Sequence, residues 1–219
     1  MKLLKSLVVV FGILLTTSFA TNSYYSDQVA VSDNQFSTGD WHIPEAKVVI
    51  NELMWMGSVG HKADEWIELK NLTSSPIDLS GWKLSKNTGT ETLMLTLPAG
   101  ANIPADGYYL ISNCSDISAS SALNTASDYV TTSVDLSNSA LQIKLYNGTI
   151  DLANLIDTAG NGGTPLAGGN GANKESMSRN STPGDGMQTA NWYSDTVSNG
   201  TTYWDSVDGN YGTPRGPNV

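Results

Sequence analysis

Alternating apolar and polar residues at positions 64–84 constrain the fold of this chain more than any other feature. In the first half of this run, DEWIELK, the apolar residues Trp66, Ile67 and Leu69 surround a glutamate, and the second half, IDLSGWKL, alternates in the same way. Such alternation is typical of a strand that buries one face. The Ser-Ser-Pro sequence between the two halves favours a turn. The run therefore predicts a β-hairpin.

Short stretches of the same kind follow one another through the middle of the chain, and none of the intervening segments has a long helical period. About seven short strands separated by turn formers predict an all-β sandwich. Asn147-Gly148 lies between the last two stretches and predicts a tight hairpin. The predicted strands run from Val48 to Met54, Asp64 to Lys70, Ile77 to Ser85, Thr92 to Leu97, Tyr108 to Ser112, Leu141 to Tyr146 and Ile150 to Ile156.

The two ends of the chain differ from this middle region. Two lysines, an apolar run at residues 7–15 and the small residues Ser18 and Ala20 predict a secretory signal peptide over residues 1–20. The apolar run is shorter than the about 20 residues that cross a bilayer, so no membrane span is expected after cleavage, and an uncleaved anchor is the alternative. Residues 21–45 predict a polar flexible arm, and the predicted location is secreted or cell surface.

Charge and cysteine content limit the partners and the covalent chemistry. The formal net charge of −10 repels phosphate backbones, so nucleic acid is not expected as a partner. Cys114 is the only cysteine, which excludes an intramolecular disulfide. A half-buried residue at a strand end is the structural interpretation of Cys114, and an intermolecular bridge or a reactive thiol is the alternative.

Several segments together resemble the lamin tail domain, an immunoglobulin-like β-sandwich found in animal lamins and in many secreted bacterial proteins. The resemblance covers residues 46–218 and implies one sandwich domain over residues 46–219, with a long irregular C-terminal strap over residues 176–219. Arg215 stands where the family commonly has glycine. The segments that carry the resemblance are VVINELMWMG, DEWIELKNLTSSPIDLSGWKL, SALQIKLYNGTIDL, IDTAGNGG, SMSRNSTPGDGMQTANW and YGTPRGPN.

The resemblance also implies a role for two central glutamates. Glu52 and Glu68 fall on adjacent predicted strands, near the place where the segment around Arg179 should pack. We therefore expect a buried or half-buried structural ion pair between Arg179 and one of them. A general acid for glycoside hydrolysis is the alternative, and Glu65, Asp151 and Asp157 are further candidates by location.

Other catalytic and metal-binding patterns are weak. His42 and His61 are the only histidines, and His61 lies near Ser58 in a loop without a nucleophile elbow, so no catalytic triad is expected. Zinc is not expected because neither Cys nor His occurs at ligand spacing. The segment DSVDGN offers carboxylate and amide oxygens for calcium, with a solvated turn as the alternative. Its candidate ligands are Asp205, Asp208 and Asn210.

Aromatic residues predict both the core and a binding surface. Trp55, Trp66 and Trp82 fall at alternating strand positions and are expected in the core. Trp192, Trp204 and Tyr211 lie in irregular segments and are the candidate ligand-binding aromatics. The sequence thus favours a non-catalytic module for adhesion, binding or surface architecture, with no cofactor. Its expected partners are a protein or carbohydrate of the cell envelope, or further copies of itself. A small extracellular hydrolase acting on polysaccharide through paired carboxylates is the alternative function.

Overall fold

A computed structural model describes residues 47–196 and 209–218. The predicted signal peptide, the polar arm, His42 and Trp204 lie outside the described residues. The described strands are β1 (Val48–Met54), β2 (Trp66–Asn71), β3 (Ile77–Asp78), β4 (Lys83–Asn87), β5 (Glu91–Thr96), β6 (Asn102–Ile103), β7 (Tyr108–Ser112), β8 (Tyr129–Val130), β9 (Ile143–Tyr146), β10 (Leu155–Ala159), β11 (Gly169–Asn170), β12 (Lys174–Glu175), β13 (Met177–Arg179), β14 (Trp192–Ser194) and β15 (Asn210–Tyr211).

The predicted fold class, an all-β immunoglobulin-like sandwich, is confirmed. A six-stranded sheet has the order β14-β13-β1-β2-β7-β8, and a four-stranded sheet has the order β10-β9-β4-β5. The remaining pairings are short, namely β11-β12-β15 and β3-β6. Two single-turn 3₁₀ helices, Leu152–Asn154 and Thr189–Asn191, complete the described secondary structure. No helix in the described part of the chain is long and apolar enough to cross a membrane.

Strand positions were predicted better than strand partners. The bounds of β1 and β7 agree with the prediction, but the hairpin predicted over residues 64–84 is wrong. β2 pairs with β1 and β7, whereas β4 pairs with β5 and β9 in the other sheet. The Ser-Ser-Pro turn therefore leads the chain from one sheet to the other, through the short strand β3.

The hairpin at Asn147-Gly148 exists, but its loop is longer than predicted. β9 ends at Tyr146 and pairs with β10, which begins at Leu155. The intervening loop contains the first 3₁₀ helix, and the side chain of Asp151 caps that helix by accepting a hydrogen bond from the Asn154 N–H. The second strand was predicted at Ile150 to Ile156, and this capped turn displaces it toward the C-terminus.

One hydrophobic core lies between the two large sheets. It receives side chains from β1, β2 and β7 on one side and from β4, β5 and β9 on the other. Trp55 and Trp66 are buried and Trp82 packs against the core, as predicted, although Trp66 lies on the same side of β2 as Glu68. Burial of this much apolar surface supplies the main stabilisation of the domain.

The region predicted as an irregular strap is partly regular. β13 and β14 extend the six-stranded sheet beyond β1, and β15 pairs in parallel with β12. Ser176, Met177, Ser178 and Arg179 occupy alternating sides of the sheet, with Met177 in the core. We call residues 209–218, which cross the opposite side of this sheet, the closing segment.

Candidate functional site

A buried polar cluster occupies the side of the six-stranded sheet that faces away from the core, which we call the polar face. Glu52 of β1 and Glu68 of β2 are directly opposite each other in the strand register, and both are completely buried. The register shifts between Ile50 and Glu52, so Asn51 is an extra residue opposite Glu68. This bulge brings the Asn51 amide to Glu68, where Nδ2 donates to Oε1 over 2.8 Å.

The closing segment covers the two glutamates and binds both of them through its backbone. The Thr213 N–H donates to Glu52 Oε1 over 2.8 Å, and the Arg215 N–H donates to Glu68 Oε2. The Thr213 hydroxyl lies 3.0 Å from Glu52 Oε2. Gly212 permits this approach, because an added Cβ would lie 2.9 Å from Glu52 Oε1.

Asn218 anchors the end of the closing segment in the same cluster. Its Nδ2 donates to the carbonyl oxygens of Asn51, over 3.0 Å, and Arg179, over 2.9 Å. Its Oδ1 accepts from Asn51 Nδ2 over 2.9 Å. Because both Nδ2 partners are carbonyl oxygens, the orientation of the amide is fixed, and Oδ1 can only accept.

The hydroxyl groups of Ser176, which directly precedes β13, and of Ser178 in β13 link Glu52 to a third carboxylate. Ser176 Oγ lies 2.5 Å from Glu52 Oε1 and 3.1 Å from Asp195 Oδ2. Ser178 Oγ lies 2.9 Å from the same oxygen of Asp195. All four residues are completely buried. The polar face is therefore a continuous hydrogen-bonded network rather than a surface.

No cation neutralises the paired glutamates within the described residues, where the four ion pairs involve neither Glu52 nor Glu68. Burial raises the pKa of Glu52 well above its ordinary value, and the charges of Asp195 and Glu68 raise it further. Burial likewise raises the pKa of Glu68 to about 8, although hydrogen bonds from Arg215 and Asn51 oppose the rise. Both glutamates therefore hold a proton more tightly than a glutamate in water.

Arg179 does not pair with Glu52 or Glu68, so that prediction is wrong. The side chain lies on the Met177 side of β13, whereas both glutamates lie on the opposite side of the sheet. The partner of Arg179 is Asp157 of β10, with 3.1 Å between Nη1 and Oδ2 and 3.4 Å between Nη2 and Oδ1.

The Arg179–Asp157 pair joins the two large sheets. Asp157 Oδ2 also accepts from the Ile50 N–H, and Arg179 Nη1 donates to the Ile50 carbonyl, so both charged groups bind the backbone of β1. Arg179 further donates to the Gly184 carbonyl and lies 4.8 Å from the Trp192 ring centroid. Burial raises the pKa of Asp157, and Arg179 opposes that rise most strongly.

Two of the three aromatic residues proposed as ligand contacts, Trp192 and Tyr211, are not available to a ligand. Trp192 is 6% exposed and Tyr211 is 7% exposed, because the first packs on Arg179 and the second lies in β15. Their assignment as exposed binding residues is therefore wrong, while Trp204 lies outside the described residues. The exposed apolar side chains of the described residues are mostly aliphatic, and Ile117 and Leu152 are the most exposed, at 91% and 85%.

The other candidate sites are structural where they are described. His61 is exposed and meets Ser58 through backbone and hydroxyl atoms, without a contact of its imidazole. Asn210 is buried and its Oδ1 accepts from the Val59 N–H. Residues 47–196 and 209–218 contain no group of three or more His, Cys, Asp or Glu arranged to hold a metal ion. Calcium stays a prediction, since Asp205 and Asp208 lie outside the described residues.

Cys114 follows β7 and is half-buried. Its sulfur lies 3.9 Å from the Ala63 carbonyl, and burial raises the pKa of the thiol. A raised pKa lowers the fraction of reactive thiolate. The structural interpretation of Cys114 therefore agrees with its environment.

Arg215 occupies a backbone position whose positive φ favours glycine. Its φ of 65° is in the left-handed region, where a side chain costs energy. The guanidinium compensates by contacts outside the cluster, since Nη2 lies 2.7 Å from Asp128 Oδ2 and Nε donates to the Ala126 carbonyl over 2.9 Å. The family-like closing turn thus persists without its glycine.

Sequence reasoning missed most of the polar network. Asn51, Ser176, Ser178, Asp195, Thr213 and Asn218 were not proposed as site residues. One signal was present, because Ser176 and Ser178 alternate with the core residue Met177, which marks a polar side on a buried strand. The segment YGTPRGPN carries part of the family resemblance, but no pattern in it indicates contacts with the two glutamates.

The fold and the cluster together define a class, namely an immunoglobulin-like β-sandwich closed by a buried C-terminal segment. The Lamin Tail Domain family matches residues 43–163, which is more than half of the 219 residues, and the chain belongs to this family. Arg179 and the closing segment lie beyond the matched residues. A comparison with curated proteins finds no match. The family is an immunoglobulin-like domain family, which is consistent with a non-catalytic binding or structural module.

Proposed function

We propose that this chain is a secreted or cell-surface module that acts in adhesion or surface architecture without catalysing a reaction. The observation that supports this most is the complete burial of Glu52 and Glu68, whose oxygens are occupied by the closing segment and Asn51. A general acid must come within hydrogen-bond reach of its substrate. These carboxyl groups are instead part of the fold, and membership in the lamin tail domain family agrees with that role.

The exposed aliphatic residues favour a protein partner over a carbohydrate. Ile117 and Leu152 project from loops, and Ile150 shares the loop of Leu152. Contiguous exposed apolar patches are a common feature of protein contacts, whereas single exposed apolar residues are ordinary, so the loop with both Ile150 and Leu152 is the stronger candidate. Carbohydrate binding usually relies on a flat aromatic face, and the two described candidate aromatics are buried. We therefore assign recognition to the loops that carry these residues.

Secretion and cleavage are tested by mass spectrometry of protein exported from cells that express the full chain. We expect a mature N-terminus near Thr21. A dominant species that retains Met1 would contradict secretion with cleavage and support the uncleaved anchor.

Recognition is tested by binding of the mature chain to the envelope of the cells that produce it. We expect Ile117→Ser and Leu152→Ser to weaken binding, whereas Met187→Ser, which changes an exposed apolar residue in another loop, should leave it unchanged. Equal binding by all four proteins would refute the assignment to these loops.

Catalysis is tested by turnover assays with polysaccharides, peptides and esters. We expect none. Turnover that is lost in Glu68→Gln while the fold is retained would replace the binding module with the hydrolase.

A further inference from the structure

The hydroxyl groups of the polar face make more contacts than they have hydrogens to donate. The Thr213 hydroxyl lies 3.0 Å from Glu52 Oε2 and 3.3 Å from Asn218 Oδ1. The amide orientation fixed by Asn51 and Arg179 makes Asn218 Oδ1 an acceptor only. If Glu52 were ionised, the single hydroxyl hydrogen would face two acceptors. A proton on Glu52 Oε2 resolves this, because Glu52 can then donate to Thr213 while Thr213 donates to Asn218.

Ser176 and Ser178 do not repeat this shortage. The Ser176 hydroxyl lies between Glu52 Oε1, at 2.5 Å, and Asp195 Oδ2, at 3.1 Å, with the Ser178 hydroxyl 3.2 Å away. Because Ser178 Oγ lies 2.9 Å from Asp195 Oδ2, Ser178 can donate to Asp195 while Ser176 donates to Glu52. The hydrogen count at Thr213 therefore favours a proton on Glu52, independently of any pKa value.

Two further observations disfavour full ionisation of the glutamates. Glu52 and Glu68 are register partners on adjacent antiparallel strands, where two like charges repel. The charges of Arg215 and Lys70 oppose the rise in the pKa of Glu68, but neither cation forms an ion pair with it, since Lys70 lies over the Tyr108 ring and the Arg215 guanidinium contacts Asp128. Within residues 47–196 and 209–218, the charged and titratable groups that face the glutamate pair are Lys70, Tyr108, Tyr193, Asp195 and Arg215.

We propose that the closing segment is a proton-dependent latch, which stays docked on the polar face while Glu52 and Glu68 hold protons and loosens as the pair ionises. Opening would let both carboxyl groups reach water, where they release their protons readily. The Thr213 and Arg215 N–H groups, which donate to the two glutamates, are direct reporters of docking.

The direction of the pH dependence follows from linkage. Each glutamate has a higher pKa when the closing segment is docked than when its carboxyl group is in water. At a pH between these two pKa values, the docked state therefore binds more protons than the open state. Docking is therefore most stable below the ordinary pKa of about 4.3, and it weakens as pH rises toward the docked value of about 8 for Glu68. Within this window, the docking equilibrium falls about tenfold per pH unit for each proton released. Burial raises the pKa of Tyr108 to about 12, so this neighbour stays neutral throughout.

Hydrogen exchange of the full chain from pH 5 to pH 9, corrected for the intrinsic exchange rate, tests the latch. We expect the protection factors of the Thr213 and Arg215 amides to fall with rising pH, by about tenfold per unit for each proton released. In Glu52→Gln, the amide can replace the protonated carboxyl by donating to Thr213, and the fall should be shallower by about tenfold per unit. Glu91→Gln is the control, since Glu91 is a partly exposed glutamate of β5 in the other sheet that binds Lys144 and Tyr146. The Glu91→Gln variant should show the same dependence of the two protection factors on pH as the wild-type chain.

Constant protection from pH 5 to pH 9 in the wild-type chain would overturn the latch, as would a wild-type slope in Glu52→Gln. If Glu52→Gln does not fold, infrared spectroscopy of Glu65→Gln decides, because burial raises the pKa of Glu65 to about 7 and its own carboxyl would otherwise contribute. The folded variant at pH 7 should show the C=O stretch of a protonated carboxyl that is absent from the unfolded protein. Lack of that band would equally refute the proposal.

Discussion

The two sides of the six-stranded sheet stabilise buried carboxylates in opposite ways. On the core side, Asp157 meets the Arg179 guanidinium, which remains charged at every ordinary pH. On the polar face, Glu52 and Glu68 meet hydroxyl, amide and backbone N–H groups, and none of the ion pairs among the described residues involves them. A buried negative charge is thus balanced by a permanent positive charge in one region and avoided by protonation in the other.

This difference predicts that substitutions in the two regions destabilise the protein by different amounts and with different pH dependence. Removal of Arg179 leaves the buried Asp157 carboxylate without its cation, so the loss in the free energy of unfolding should be large. Removal of one donor from the polar face leaves a network that can take up a proton, so the cost should be moderate and should depend on pH. Variants of the two regions, made in the same chain, separate these two mechanisms.

Arg179→Ala should have the largest effect. Loss of one partner from a buried ion pair costs about 3–5 kcal/mol because the other charge is stranded, and Asp157 has only 9% of its side chain exposed. Chemical denaturation would measure the change in the free energy of unfolding. Lys144→Ala is the matched control, since it breaks a partly exposed pair with Glu91, and about 0–1 kcal/mol is expected. Similar losses in both variants would show that burial of the Arg179 pair contributes little.

Gly212→Ala should have the next largest effect, through the polar face. An added Cβ would lie 2.9 Å from Glu52 Oε1 and 3.1 Å from Trp66 Cζ2, both in buried side chains. Overpacking of this kind costs about 1–3 kcal/mol. Gly171→Ala is the control, because an added Cβ there meets no atom within 4 Å. A melting temperature lowered equally by both substitutions would argue against close approach of the closing segment.

The longer strands of the middle of the chain were predictable from the sequence, whereas the strands of the predicted strap and the pairing of buried charges were not. Short apolar runs between turn formers marked β1 and β7, and in β2 the alternation of residue types reported the side of the strand on which each residue lies. The same alternation, applied to Ser176, Met177, Ser178 and Arg179, places Arg179 on the core side and away from Glu52. The partner Asp157 belongs to the other sheet, however, and only the sheet topology brings the two together.

The closing segment was unpredictable for another physical reason. Its residues are fixed by hydrogen bonds to specific backbone and side-chain atoms, and such contacts leave no period in the sequence. A glycine, a threonine and an asparagine near the end of the chain are compatible with an ordinary exposed turn. Only the folded sheet shows that they cover two buried glutamates.

Thr213→Val tests the moderate cost expected for the polar face. Valine keeps the shape of threonine but removes the hydroxyl between Glu52 and Asn218. Loss of this buried group should cost about 1–3 kcal/mol. Thr213→Ser retains the hydroxyl and should restore most of the stability in the same denaturation experiment. Equal losses in Val and Ser variants would assign the effect to packing of the methyl group instead of the hydrogen bonds.

Arg215 should give the smallest net effect, because two contributions oppose each other there. Arg215→Gly relieves the left-handed backbone conformation, worth about 1–2 kcal/mol, but loses the partly exposed pair with Asp128, worth about 0–1 kcal/mol. Arg215→Ala loses the same pair and keeps a Cβ at a φ of 65°. We therefore expect the glycine variant to be within about 1 kcal/mol of the wild type and more stable than the alanine variant. Equal stability of the two variants, measured by denaturant titration, would show that the backbone of the closing segment is not strained at this position.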